Sequence, residues 1–201
     1  MNDEECGLCL DVMRDRLDLP CGHSFCCACL DEQFKKMQIE GDFNERCGYC
    51  RAPLFGDATL LFGEAMQLLQ TLTAADPRDA AAVATLRDAA IVAFERSQRA
   101  AEPYATGPDG LNRIATAAQY NIGQTLELTG DWAGASTAYR AAVAMNSREH
   151  MAICNLGTAI YKSSDGAMVQ EARAMWSRAL ELAPDDDVAR TNLEATADEV
   201  T

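Results

Sequence analysis

Eight possible metal ligands in the first fifty residues constrain this chain more than any other feature. Three pairs follow the Cys-x-x-Cys spacing, and a fourth pair is separated by one residue. In chain order the pairs are Cys6 and Cys9, Cys21 and His23, Cys26 and Cys29, and Cys47 and Cys50. Two residues between cysteines let one tight turn direct both thiolates at one zinc ion, which takes four ligands in a tetrahedron. Four pairs therefore predict two structural zinc ions, with no coordination position left for water.

The distribution of cysteine supports metal binding rather than a disulfide framework. Eight of the nine cysteines precede residue 51. The N-terminus is acidic and lacks the apolar core of a signal peptide, so we expect a reducing compartment, the cytoplasm or nucleus. A domain of about fifty residues buries too little apolar surface to fold alone, whereas structural zinc contributes about 10–16 kcal/mol per site in model peptides. The finger is therefore expected to unfold when metal is removed.

The order of ligands, three Cys, one His and four Cys, resembles the RING finger. In that family the first and third pairs share one zinc ion, and the second and fourth share the other. The resemblance implies that Cys6, Cys9, Cys26 and Cys29 hold the first ion, and Cys21, His23, Cys47 and Cys50 the second. Sequential pairing, as in LIM domains, is the alternative, although LIM sites place His later in the order. A PHD finger would need His as the fifth ligand, whereas here His23 is the fourth.

The RING resemblance also implies a function without a catalytic nucleophile. A RING finger binds a ubiquitin-charged conjugating enzyme and holds the thioester in a reactive geometry, so the rate comes from orientation and electrostatics. Carried onto this sequence, Leu8, Phe34 and Pro53 match apolar contacts to the conjugating enzyme. Arg51 directly follows the last ligand. It matches the basic residue that hydrogen-bonds both ubiquitin and the conjugating enzyme.

The chain changes character after the finger. From Asp57 onward alanine dominates, and apolar residues recur every three or four positions, which predicts an all-helical region. Breaks between helices are predicted at Asp76 and Pro77, over residues 102–110, at Gly130 and Asp131, around Asn146 and Ser147, over residues 163–166, and at Pro184. The predicted helices are about four turns long, and residues 188–201 are expected to form a closing helix.

Part of the helical region repeats itself. The segment at residues 120–123, Tyr-Asn-Ile-Gly, returns at residues 154–157 as Cys-Asn-Leu-Gly. Each copy is followed by an alanine, an aromatic residue four positions on and a further alanine, and these residues are Ala135, Tyr139 and Ala142, then Ala172, Trp176 and Ala179. The pattern resembles the tetratricopeptide repeat, which implies antiparallel helix pairs around a concave groove of peptide size. A packed alanine-rich bundle without repeats is the alternative.

These observations together predict a small zinc-bound α+β RING finger followed by an all-α, tetratricopeptide-like repeat domain. Residues 1–56 form the finger, residues 57–110 a helical linker or degenerate repeat, and residues 111–201 the repeats with their closing helix. The degenerate unit is suggested by a partial match at Ala65, Leu69, Leu72 and Pro77.

Charge and chemistry narrow the function. The formal net charge of −14 and a pI of about 4.4 would repel nucleic acid and anionic membranes, so we expect neither as a partner. We expect a RING-type ubiquitin ligase whose partners are a conjugating enzyme, ubiquitin and a protein or peptide in the helical groove. A non-catalytic adaptor is the alternative, since Gln33 and Gly48 depart from common RING residues. A redox or zinc sensor using Cys27 also stays open. Leu8 and Arg51 favour the ligase over the adaptor, and the filled zinc coordination favours either of these over the sensor.

Overall fold

The computed structural model describes residues 5, 6, 8–14, 16–18, 23–26, 29, 57–102 and 113–200. In the N-terminal part, strands β1 (Arg16–Asp18) and β2 (Ser24–Cys26) form an antiparallel hairpin in which Arg16 lies opposite Cys26. An isolated bridge joins Glu5 to Val12. The ring of Phe25 is buried on β2, so this small hairpin has an apolar centre.

The rest of the described chain is a succession of helices. They are α1 (Asp57–Ala74), α2 (Ala80–Ala101), α3 (Arg113–Leu128), α4 (Trp132–Met145), α5 (His150–Ser163), α6 (Val169–Leu182) and α7 (Asp187–Ala195), followed by a 3₁₀ turn (Ala197–Val200). Each helix packs against the next. In addition, α1 contacts α3, and α5 contacts α7. Among the described helices, none is both long enough and apolar enough to cross a bilayer.

Local chemistry explains where these helices begin and end. Three of them begin after an aspartate whose side chain accepts a backbone N–H of the first turn; these are Asp79, Asp131 and Asp186. Gly130, which separates α3 from α4, adopts a φ of 81°, a conformation that glycine reaches without steric cost. The breaks predicted at residues 76–77, 130–131, 146–147 and 184 fall between the described helices. The break predicted over residues 163–166 begins at the last residue of α5, and residues 103–110 lie outside the described part of the chain.

The closing helix differs from the prediction for residues 188–201. Helix α7 ends at Ala195 and gives way to the 3₁₀ turn. The guanidinium of Arg173, on α6, donates to the carbonyl of Leu193 at 2.7 Å and to the hydroxyl of Thr196 at 2.8 Å. An unpaired carbonyl at the end of α7 is thus satisfied by a side chain from a neighbouring helix, which stops the helix early.

Two helix pairs share one mode of internal packing. In the pair α3–α4, Gly123 faces the ring of Tyr139, and in the pair α5–α6, Gly157 faces the ring of Trp176. Both rings are buried. A glycine on the first helix of each pair therefore makes room for an aromatic residue on the second, a contact that the sequence analysis did not predict. Assignment to the tetratricopeptide family stays a prediction.

The helical core is continuous from α1 to α4. One cluster of buried side chains joins Leu72 of α1, Phe94 of α2, Ile122 of α3 and Ala138 of α4. A second cluster continues through α4 to α7 around Trp176. The domain boundary predicted between residues 110 and 111 stays a prediction, and the first cluster contains residues from both sides of it.

The close packing at Gly157 predicts the effect of adding one methyl group. A Cβ there would lie 2.7 Å from Nε1 of Trp176 and 2.9 Å from the backbone carbonyl oxygen of Ala172, which cannot rotate away. We expect Gly157→Ala to lower the free energy of unfolding by about 1–3 kcal/mol, measured by urea denaturation.

Gly63, on α1, is the matched control for this substitution. A Cβ at Gly63 meets nothing within 4 Å, so Gly63→Ala should raise the free energy of unfolding by about 0.5–1 kcal/mol through helix propensity alone. Equal effects of the two substitutions would contradict the proposed packing of α5 against α6.

Candidate metal centre

Cys6 and Cys9 lie in a tight turn that precedes the hairpin. The backbone N–H of Leu10 donates to the carbonyl of Cys6 at 2.8 Å, and the N–H of Cys6 donates to the carbonyl of Asp11 at 2.9 Å. Leu10 adopts a φ of 62°, a left-handed conformation that costs a non-glycine residue about 1–2 kcal/mol. The turn therefore has a strained residue directly after its second cysteine, which other interactions must hold in place.

The hairpin brings a second pair of cysteines to this turn. Cys26 ends β2, and Cys29 follows it. The sulfur atoms of Cys6, Cys9, Cys26 and Cys29 all lie within 4.8 Å of one another, and those of Cys9 and Cys26 are 4.0 Å apart. Zinc–sulfur bonds of about 2.3 Å in a regular tetrahedron place sulfurs about 3.8 Å apart. The four sulfurs thus fit a zinc ion after contractions smaller than about 1 Å.

Backbone amides point at two of these sulfurs. The N–H of Cys26 donates to Sγ of Cys6, and the N–H of Arg14 donates to Sγ of Cys26, both at 3.3 Å. Burial by itself would raise the pKa of the Cys6 thiol, but the N–H groups of Cys26, Cys9 and Leu8 outweigh burial and lower it to about 6. Cys6 is therefore more easily converted to the thiolate that binds metal than Cys26 or Cys29.

The thiols of Cys26 and Cys29 resist ionisation while no cation is present. Burial, reinforced by the neighbouring thiols of Cys9 and Cys6, raises the pKa of Cys29 to about 12. Burial likewise raises the pKa of Cys26. Four thiolates so close together need a compensating charge, which a zinc ion supplies when bound. All four ligands would come from the protein, so such a site is closed and its role is structural.

The structure brings the first cysteine pair together with the third pair. His23 is described, half-buried just before β2, and is not one of the four clustered residues. This arrangement agrees with interleaved pairing and disagrees with sequential pairing. Cys21, Cys47 and Cys50, predicted to complete the second site with His23, lie outside the described residues, so the second site stays a prediction.

Of the residues predicted to bind the conjugating enzyme, the structure describes Leu8. Its side chain is 38% exposed in the turn between Cys6 and Cys9. Phe34, Arg51 and Pro53 lie outside the described residues. Beyond the cysteine turn, Leu10 and Val12 are also strongly exposed, and the sequence analysis did not identify them. The spacing of the metal ligands does not predict the direction in which the other side chains of such a turn point.

A second concave feature lies among the helices. A cavity of about 260 Å³ opens between α1, α3 and α5, and its lining residues are Leu69, Thr73, Gln124, Glu127, Leu128 and Asn155. Sequence analysis predicted a groove but none of these polar residues as part of a site. Asn155 belongs to the repeated Asn-x-Gly segment, and this repetition is the sequence signal that could have indicated Asn155 as a site residue.

Comparison with known proteins identifies the N-terminal part. Residues 6–47 match a family described as RING-type zinc-finger. Tripartite motif-containing protein 5 of Erythrocebus patas is 41% identical over 46 residues, and the same protein of Papio anubis and of Chlorocebus aethiops is 39% identical over 46 residues. The match covers 23% of this chain and 9% of each of these relatives.

The fold and the site together define a class of protein. The chain carries a RING-type, zinc-binding finger at its N-terminus, with four cysteines clustered, and a largely helical region after it. Its similarity to the curated relatives extends over less than a tenth of their length. The similarity therefore does not by itself assign the activity or the partners of those whole proteins to this chain.

Zinc binding by the cluster predicts the effect of removing one ligand. Wild-type zinc content is expected to be two ions per chain by elemental analysis. Cys26→Ala should lower it and unfold the finger, because the loss of one ligand opens the coordination shell. The far-UV circular dichroism of the helices should change little, since among the described residues the clusters around Phe94 and Trp176 contain no finger residue.

Cys154 provides the matched control. It is buried in the middle of α5, and burial raises the pKa of its thiol to about 12. Cys154→Ala should leave zinc content unchanged. A wild-type chain with one zinc ion or none, or equal zinc in Cys26→Ala and wild type, would contradict the metal centre described above.

Proposed function

We propose that this chain is a RING-type ubiquitin ligase, in which the finger binds a ubiquitin-charged conjugating enzyme and the helical region binds a protein partner or substrate. The observation that carries the proposal is the clustering of Cys6 and Cys9 with Cys26 and Cys29. Interleaved pairing of this kind is what the RING resemblance implies, and residues 6–47 match the RING-type family.

In this proposal the chain orients a reaction and forms no covalent intermediate. Leu8 contacts the conjugating enzyme, and its 38% exposure supports this role over packing inside the turn. Phe34 and Pro53 supply the other apolar contacts. Arg51 donates hydrogen bonds to both ubiquitin and the conjugating enzyme, which holds the thioester in one geometry. The rate increase then comes from fixing that geometry before an amine attacks.

A second zinc ion, held by Cys21, His23, Cys47 and Cys50, completes the proposed finger. The first site ties the N-terminal turn to β2, and the second site would tie the segment before β2 to the end of the finger. Two interleaved ions therefore supply the rigidity that a domain with so small an apolar core lacks.

For the helical region we propose a tetratricopeptide-like array. Two helix pairs place a glycine of the first helix against a buried aromatic of the second. The cavity described above is lined by the first helix of three successive pairs, α1, α3 and α5. An array of this kind presents a continuous concave surface to an extended peptide.

A non-catalytic adaptor is the second candidate. Gln33 and Gly48 stand where many RING fingers have tryptophan and proline, and in sequence they are close to Phe34 and Arg51. An adaptor would bind partners through both halves without accelerating ubiquitin transfer. Measuring discharge of ubiquitin from a panel of charged conjugating enzymes separates the two candidates, because the ligase accelerates discharge and the adaptor does not.

The two roles assigned to Leu8 and Arg51 predict different kinetic defects in single-turnover discharge. Leu8→Ala should raise the conjugating-enzyme concentration needed for half-maximal rate by about tenfold, since an apolar docking contact is lost. Arg51→Ala should slow discharge by about tenfold even at saturation, because it acts on the bound thioester.

Leu60 on α1 is the control for these two variants. Its side chain is 58% exposed and belongs to the helical region, so Leu60→Ala should leave discharge unchanged. Wild-type discharge by Arg51→Ala at saturating conjugating enzyme would refute its proposed role. Equal defects in Leu8→Ala and Leu60→Ala would refute docking through Leu8.

Self-ubiquitination, where it occurs, should map mainly to Lys162 or the N-terminal amine. Lysine occurs only at positions 35, 36 and 162, and arginine cannot act as a nucleophile near neutral pH. Lys35 and Lys36 neighbour Phe34 and would be covered by the docked conjugating enzyme, whereas Lys162 is exposed near the end of α5. Peptide mass mapping that places most ubiquitin on Lys35 or Lys36 would contradict the proposed docking face, and Lys162→Arg is the matched control.

A further inference from the structure

The cavity between α1, α3 and α5 has the size of a subsite for one side chain. Its volume of about 260 Å³ falls below the roughly 300–1,000 Å³ of pockets that enclose a whole small-molecule ligand. Three helices from three successive pairs contribute to its walls. A peptide running across these helices could therefore insert one residue here.

A chain of hydrogen bonds orders the polar side of the cavity. The side-chain amides of Asn155 and Gln124 donate to the hydroxyl of Tyr120, at 3.3 and 3.2 Å. Asn155 also lies 3.5 Å from the hydroxyl of Tyr139, which donates to Oε2 of Glu127 at 2.7 Å. Donors in this network thus point inward, toward the hydroxyls and the carboxylate. The carboxylate of Glu127 is the last acceptor.

The cavity has negative character. Of the six lining residues, Glu127 is the one with an ionisable side chain. Burial, followed by the hydrogen bond and the charge of Glu127, raises the pKa of the Tyr139 hydroxyl, so this group keeps its proton and continues to donate. A carboxylate can accept about four hydrogen bonds and this one accepts a single bond from Tyr139, which leaves acceptor capacity toward the cavity.

The cavity also has apolar walls. Leu69 of α1 is buried, and Leu128 of α3 is 53% exposed at the margin. Long cationic side chains pack their methylene stems on apolar surface and keep the charged head near polar groups. The cavity offers both kinds of surface.

We infer that this cavity binds an arginine side chain of the protein partner, with the guanidinium at Glu127 and the methylene stem along Leu69 and Leu128. This inference rests on the part of the proposed function that places a partner in the helical groove, and it names the chemistry of that partner. The planar guanidinium donates five hydrogen bonds in a fixed geometry, so it can bond the carboxylate and an amide oxygen of Gln124 or Asn155 together. An acidic side chain would be repelled by the carboxylate of Glu127. The amide donors of Gln124 and Asn155 already point at tyrosine hydroxyls and would not be free to bind it.

The test uses the zinc-loaded full chain and small blocked amino acids as probes. Nα-acetyl-arginine methylamide is titrated, and binding is followed by NMR through the side-chain amide signals of Gln124 and Asn155. The matched probe is the citrulline analogue, which has the shape of arginine without its charge; lysine and glutamate analogues complete the set. Arginine should bind about tenfold more tightly than citrulline and more tightly than lysine, and glutamate should not bind.

Two variants locate the effect at the carboxylate. Glu127→Gln keeps an acceptor for Tyr139 and removes the charge, so it should reduce arginine binding to the level of citrulline. Glu95→Gln removes the same charge from an exposed position on α2 and should bind arginine as wild type does. Circular dichroism confirms that each variant is folded.

Each outcome decides the inference. Equal affinity for arginine and citrulline, arginine binding that survives Glu127→Gln, or tighter binding of glutamate would overturn it. The ligase proposal is tested independently, by measuring ubiquitin discharge. Discharge without arginine binding would refute this inference alone, whereas arginine binding without discharge would refute the ligase and leave the arginine site standing.

Discussion

The attraction between a zinc ion and four clustered thiolates is the interaction on which the finger depends. Cys6 and Cys9 are brought to Cys26 and Cys29 by a hairpin of only two three-residue strands. Within the described part of the finger, Phe25 and Cys6 are the fully buried side chains, and Leu10 is strained. A domain of about fifty residues buries little apolar surface, so metal coordination is expected to supply much of its folding free energy, and the position of the exposed Leu8 depends on it.

The helical region is held together by a different force, the burial of aromatic rings against glycine and alanine. Trp176 and Tyr139 fill the space that Gly157 and Gly123 leave open. These contacts set the spacing within the pairs α3–α4 and α5–α6, and the first helices of both pairs contribute to the lining of the cavity at Glu127. In the proposed function the two halves thus have separate tasks: zinc positions the surface for the conjugating enzyme, and ring packing positions the surface for the partner.

Sequence predicted the features that local chemistry determines. Helix breaks at Pro77, Gly130 and Pro184 follow from backbone constraints within a few residues, and the proximity of Cys6, Cys9, Cys26 and Cys29 agrees with the RING resemblance. The end of the closing helix was missed because Arg173 reaches it from another helix. The network of Tyr139, Glu127 and Asn155 was missed for the same reason, since α3, α4 and α5 each contribute one member.

Replacement of zinc by ¹¹³Cd tests the interleaved metal centre most directly, because NMR correlates each cadmium ion with the β-protons of the cysteines that ligate it. The account predicts that one cadmium signal correlates with Cys6, Cys9, Cys26 and Cys29 together. A cadmium ion that correlates with Cys6, Cys9 and Cys21, and not with Cys26 or Cys29, would show sequential pairing and contradict the arrangement on which the proposed function rests.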